Sequence, residues 1–129
     1  MLLFKEKFLE QIITGEKTQT IRLWKHRRMK PGQRSYVPGV GYIAITRVER
    51  VKLDDLTDDD ALLDGFSSAD ALRVELRTLY DEDTLARWTP YIIRFTVYPP
   101  SEQEKITAEQ DKKREAEKNR QRLFQCFVF

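Results

Sequence analysis

Apolar residues recur along this chain at two different spacings, and the places where the spacing changes mark its elements. Phe4, Phe8 and Ile12, with Leu9 and Ile13 beside them, repeat at intervals of four, which lines one face of an α-helix. The pattern predicts a short strand over Leu2 to Phe4, then a helix of roughly two to three turns. Gly15 stops that helix, because glycine takes the left-handed conformation used at helix ends. Thr18, Thr20, Ile21 and Leu23 predict a strand ending near Trp24. Pro31-Gly32 and Pro38-Gly39 are turn signals, leaving Arg34 to Val37 as a strand between them. From Tyr42 onward, Ile43, Ile45, Val48 and Val51 interleave with polar residues, which reads as one long or two short half-buried strands.

The middle of the chain reads as helical. Asp58 to Leu63 forms a turn or short helix. A longer helix, capped by Ser67 or Ser68, runs through Ala71, Leu72, Glu75, Leu76 and Leu79 to Tyr80. A serine oxygen there accepts from a first-turn amide, and Asp70 suits the positive end of the helix dipole. Tyr91 to Tyr98 is the strongest strand signal, ended by Pro99-Pro100. Six acids and seven bases then crowd the stretch from Glu102 to Arg122. Residues 1–98 therefore read as the body and 99–129 as a charged helical extension, opening on a Ser101/Glu104 capping box. Pairs such as Glu109 with Lys113 contribute only about 0.2 to 0.5 kcal/mol each, so the helix calls for attachment. The apolar end, Leu123 to Phe129, could pack onto the sheet or join two chains as a homodimer.

Composition narrows the function classes. A length of 129 residues matches one domain, and seven Phe, five Tyr and two Trp can furnish its core. No apolar run approaches the roughly 20 residues of a membrane helix. Met1-Leu2-Leu3-Phe4 meets Lys5 and Glu6 too soon for a signal peptide, so a cytoplasmic protein without membrane partners is expected. Cys126 is the single cysteine and His26 the single histidine; neither a disulfide nor a zinc site follows, and no metal or cofactor is indicated. The net charge of +2 conceals segregation. Lys17 to Arg34 holds seven bases and no acid, whereas Asp54 to Asp83 holds eleven acids against Arg73 and Arg77. Such a distribution either presents a positive surface to anionic partners or pairs the two regions across the fold.

Within the basic region, Gly15-Glu16-Lys17-Thr18-Gln19-Thr20-Ile21-Arg22 brings a lysine, two hydroxyls and an arginine to one helix-to-strand corner, a plausible anion site. The spacing Gly-x-Lys-x-x-x-x-Arg, carried by Gly15, Lys17 and Arg22, resembles the signature of ASCH domains, relatives of the PUA RNA-binding fold. The Lys30-Pro31-Gly32-Gln33 turn, Asp64-Gly65-Phe66-Ser67-Ser68 and the Tyr91 to Phe95 strand are similar to further ASCH features. The resemblance spans Leu2 to Tyr98. It implies an α+β fold, a small PUA-like mixed β-barrel with flanking helices, to which the chain adds its charged C-terminal helix.

The resemblance also implies a cleft floored by Lys17 to Arg22 that takes RNA, another nucleic acid, or a nucleoside or nucleotide. Expected ligand-binding residues are Lys17, Thr18, Thr20, Arg22, Trp24, Lys25, Arg27 and Arg28, the cations on phosphates and Trp24 stacking a base. Trp88 is a weaker stacking candidate. Some ASCH proteins are amidohydrolases that deacylate N4-acylated cytidine with Lys, Thr and Glu. Lys17 and Thr20 match the first two, giving a hydroxyl nucleophile and an amine base. Ala71 stands at the Glu position, so Asp70 beside it becomes the candidate third catalytic residue, with Glu75 one turn on. Others cleave RNA without metal; here His26 belongs to the solvated basic loop.

Overall fold

The computed structural model describes the backbone of residues 1–128 and the side chains of residues 1–124. Helix α1 (Glu6–Thr14) leads to strand β1 (Gln19–Trp24), followed by β2 (Arg34–Val37) and β3 (Gly41–Arg50). A 3-10 turn at Leu53–Asp55 precedes helices α2 (Asp58–Leu63), α3 (Ala69–Leu79) and α4 (Glu82–Arg87). Strand β4 (Thr89–Val97) and helix α5 (Pro100–Val128) close the chain. The strands form one curled, antiparallel half-barrel in the order β1-β4-β3-β2. The fold is the expected α+β barrel type with flanking helices, with one change: the three strand pairings all run antiparallel rather than mixed.

Strand alternation sends side chains into two cores. Tyr91, Ile93 and Phe95 of β4 join Ile43, Ile45 and Val48 of β3 in the first, closed by Leu2, Ile12, Trp24 and Val37. A register shift between Ile45 and Arg47 changes the parity of β3, which returns Val48 to the same face. Ile21 and Leu23 of β1 point the other way, into a second core with Leu56, Ala61, Leu72 and Leu76 under α2 and α3. Within α1, Ile12 is buried while Ile13 is 59% exposed.

Several local expectations change. Leu2 to Phe4 is not a strand; its bond to the sheet is Leu2 N–H to Tyr36 O at 3.2 Å, and one bond does not make a ladder. The 3-10 turn and α4 have no periodic apolar signal, and Asp81, accepting from Thr84 N–H, caps the latter. Ser68 is the residue that caps α3. A reciprocal capping box forms at Thr57 and Asp60, ahead of α2. Helix α5 begins at Pro100, where proline loses nothing by lacking an N–H.

Main-chain packing divides the chain into two compact units, Met1–Val97 and Tyr98–Phe129. In the second, Gln103 donates to the main-chain oxygens of Pro99 through its N–H and of Tyr98 through Nε2. Exposed pairs such as Glu102 with Lys105 and Asp111 with Arg114 follow along α5. The side chains of residues 125 to 129, including Cys126 and most of the apolar end expected to anchor the tail, lie outside the described residues. No helix among the described residues is long and apolar enough to cross a membrane.

Candidate functional site: a pocket around a buried ion pair

The corner between α1 and β1 is fixed mainly by backbone bonds. Gly15, at φ +84°, ends α1 with its N–H on Ile12 O. Lys17 N–H then donates to Gln11 O at 3.0 Å, Thr18 N–H to Leu63 O at 2.9 Å, and Phe95 N–H to Thr18 O at 3.0 Å. These bonds hold the start of β1 against α2 and β4, and Lys17 is buried there, 2% exposed.

Its ammonium is received by Asp64, through both the carboxylate and the main-chain oxygen. Asp64 is equally buried, and its second carboxylate oxygen, Oδ2, accepts no hydrogen bond from any described residue. Burial lowers the Lys17 pKa against the pull of Asp64, and burial raises that of Asp64 against the pull of Lys17 and Arg22. Aromatic rings enclose the pair. The Lys17 Nζ lies 4.8 Å from the ring centre of Phe8, 5.7 Å from Phe66 and 5.9 Å from Phe4, within the range of cation–π attraction.

Beside the pair opens a pocket of about 240 Å³, into which Thr20, Arg22, Glu75 and Tyr80 also face. Thr20 and Arg22 share one side of β1 through the two-residue strand period. Leu72, Glu75, Leu76 and Leu79 of α3 line it as well, at the i, i+3, i+4, i+7 spacing of one helix face. Arg22 donates through Nη2 to Leu3 O at 2.5 Å and through Nε to Thr20 Oγ1 at 3.4 Å, and its guanidinium lies 4.8 Å from the Phe4 ring centre. Glu75 pairs with Lys7 at 3.1 Å and Lys5 at 3.4 Å; the Lys7 ammonium foremost holds its carboxyl below the usual range. With those charges matched, Arg22 has no carboxylate within 4 Å among the described residues.

No family model and no curated protein matches this sequence. Solved structures do. An ASCH domain from Lactobacillus crispatus JV V101 superposes with a TM-score of 0.60 at 18% identity, over 69% of this chain and 69% of that one. The fold is that of an ASCH domain. The hypothetical protein PH0355 is also similar, with a TM-score of 0.64 at 20% identity over 74% of this chain and 95% of its own. So is protein EF3133 from Enterococcus faecalis V583, a DUF984 protein, with a TM-score of 0.57 at 17% identity over 70% and 69%.

On this ASCH fold the candidate residues separate. Lys17, Thr20 and Arg22 meet in the pocket. Thr18 is half-buried at the strand entry, where its backbone serves the sheet. Trp24 is 7% exposed, packed 5.3 Å from the Tyr91 ring in the first core, so it offers no free face to a base. Lys25, Arg27 and Arg28 are exposed on the loop after β1 and do not line the pocket. Asp70 is displaced from the expected catalytic position: its side chain is 94% exposed and bonded to Arg73, while Glu75 faces the pocket instead. The basic and acidic regions do pair at Lys17 and Asp64. Sequence reasoning missed Asp64, hidden in an acidic run; the Gly65 after it, at φ +88°, is the signal that marks the turn presenting it.

Proposed function

We propose that this protein binds RNA or a nucleotide by taking one base or nucleoside into the Lys17 pocket. The observation that carries this reading is an aromatic-walled hollow holding one guanidinium, Arg22, that has no carboxylate partner among the described residues. Its volume of about 240 Å³ falls below the roughly 300–1,000 Å³ typical of drug-sized ligands, which suits a single base and its sugar. Phe4, Phe8, Phe66 and Tyr80 supply apolar contact to a flat ring. Arg22 supplies donors to a phosphate or a base carbonyl. Lys17 acts differently from a phosphate-binding lysine, because Asp64 already holds its charge. Titration of mononucleotides and short RNA oligomers at low salt tests this. Arg22→Ala is expected to weaken binding about 10- to 100-fold, the range for a lost hydrogen bond to a charged group. Absence of binding, or full affinity in Arg22→Ala, sinks the reading.

A second reading, an amidohydrolase acting on N4-acylated cytidine, is favoured by Lys17, Thr20 and Glu75 lining the same pocket. Thr20 Oγ1 would attack the acyl carbonyl and pass its proton toward the amine of the leaving cytidine. Water would then release the acyl group from Thr20 as the carboxylic acid. The lowered Lys17 pKa favours an amine able to take up a proton, and Glu75 takes the place considered for Asp70. Cytidine release from N4-acetylcytidine that Thr20→Ala leaves intact would exclude this chemistry; loss in both Thr20→Ala and Glu75→Gln is the expected result if it occurs. A nuclease reading has no such support, since His26 is exposed on the loop and does not line the pocket.

A further inference from the structure

The basic loop that does not join the Lys17 pocket has a destination of its own. β1 and β3 both pair antiparallel with β4, so both stop where β4 starts: Trp24 lies opposite Thr89, and Arg50 opposite Tyr91. Three segments therefore emerge at one end of the sheet, the loop after Trp24, the residues after Arg50, and the residues before Thr89. Between the last two lies an open groove of about 890 Å³, lined by Arg50, Lys52, Arg87 and Trp88. The loop reaches the same place, with the Lys25 ammonium 5.7 Å from the Trp88 ring. Arg27 donates through Nη2 to Val48 O at 3.5 Å, which sets the loop against β3.

We propose that this end of the sheet is a second binding surface, a track for the sugar-phosphate backbone of a single-stranded nucleic acid. It rests on the nucleic-acid reading of the Lys17 pocket for the class of its ligand. Lys25, Arg28, Arg50 and Lys52 are exposed and have no carboxylate within ion-pair distance among the described residues. Arg87 is paired at 2.9 Å with Asp83, but both are more than two-thirds exposed, and such a pair yields readily to a better anion. Asp54 and Asp55 also line the groove and limit its field, while the loop adds cations with no acid between Lys17 and Arg34. Lys25 over the half-exposed Trp88, with Arg50 and Lys52 in the groove beside it, suits a strand that offers phosphates at regular intervals and bases that stack. A lone small anion would use only a fraction of it.

The full chain carrying Lys25→Ala, Arg50→Ala and Lys52→Ala tests the track, with short oligouridylate and uridine monophosphate as probes across a salt series. The triple variant should bind the oligomer about tenfold or more weakly at low salt, with a salt slope shallower by about 2, since each lost phosphate contact removes about 0.7 on a single strand. Its affinity for the mononucleotide should be unchanged. In a Trp24→Phe background, Trp88 fluorescence should respond to the oligomer and not to the mononucleotide. Unchanged oligomer affinity and slope in the triple variant overturn the proposal. So does a loss confined to mixed phosphatidylcholine/phosphatidylserine vesicles, which would reassign the surface to a membrane. If the mononucleotide fails to bind while the triple variant still loses the oligomer, the pocket reading falls and the track stands.

Discussion

Lys17 and Asp64, 47 positions apart in sequence, form a buried ion pair at the floor of the pocket, each 2% exposed. A pair so enclosed is weak evidence of net stabilisation, because both ions give up hydration, but removing one partner strands the other. Asp64→Asn should therefore cost about 3 to 5 kcal/mol in denaturant unfolding, whereas Lys17→Met with Asp64→Leu should recover most of that loss. The single variant also carries a pH signature. Without Asp64, burial drives the Lys17 pKa further below its unfolded value of 10.5, so between the two values the unfolded chain binds more protons. Stability of Asp64→Asn should then rise with pH across that window and fall as pH drops through the folded value. A deficit independent of pH would refute this account.

Gly65 presents Asp64 to Lys17 from a left-handed backbone at φ +88°, and a Cβ there would sit 2.5 Å from Gln11 Oε1. The crowding atom is the tip of a flexible side chain, so the backbone carries most of the penalty. Gly65→Ala should cost about 1 to 2 kcal/mol, and adding Gln11→Ala should restore little of it. Full restoration by the second change, read from thermal unfolding, would place the cost in the clash instead.

Trp24 was a stacking candidate, and its burial against Tyr91 makes it a core residue. Trp24→Ala should lower stability by about 3 to 5 kcal/mol, while the folded fraction keeps its nucleotide affinity. An affinity loss exceeding the folded fraction measured by circular dichroism would return Trp24 to the binding surface.

Arg22 bridges Leu3 O and Thr20 Oγ1 while facing the pocket. Lysine keeps the charge but lacks the planar fork. Arg22→Lys is expected to bind a nucleotide about tenfold more weakly or worse, with a change in melting temperature too small to explain it. Equal affinity for the two proteins would show that charge alone suffices.

Much of this site is legible before folding, and what escapes does so for identifiable reasons. Gly15, Lys17, Thr20 and Arg22 lie within eight consecutive residues, so a glycine stop and one strand period suffice to gather them. Ser68 and the Tyr91 to Val97 run likewise act through local chemistry. Trp24 is different: it shares the parity of Thr20 and Arg22, and what turns it inward is the pairing with β4, which sets Tyr91 diagonally across from it. Asp70 and Glu75 are separated by five positions, about 140° around a helix, and which of them meets the pocket depends on how α3 seats Leu72 and Leu76. Asp64 is one of eleven acids between Asp54 and Asp83, and although Gly65 marks the turn that follows it, nothing local says that a distant lysine will need this acid.

The central place of β4 has a consequence for how the protein is made. Gln19, on β1, waits for Arg94, 75 positions later, before its strand gains its sheet neighbour. During synthesis the nascent chain therefore carries Lys17 through Trp24 as an unpartnered ribbon until nearly the whole body has emerged. Assembly is consequently a late, long-range closure rather than a stepwise one, and a ribosome stalled before Thr89 would release a fragment with a bare, sticky edge for chaperones to manage.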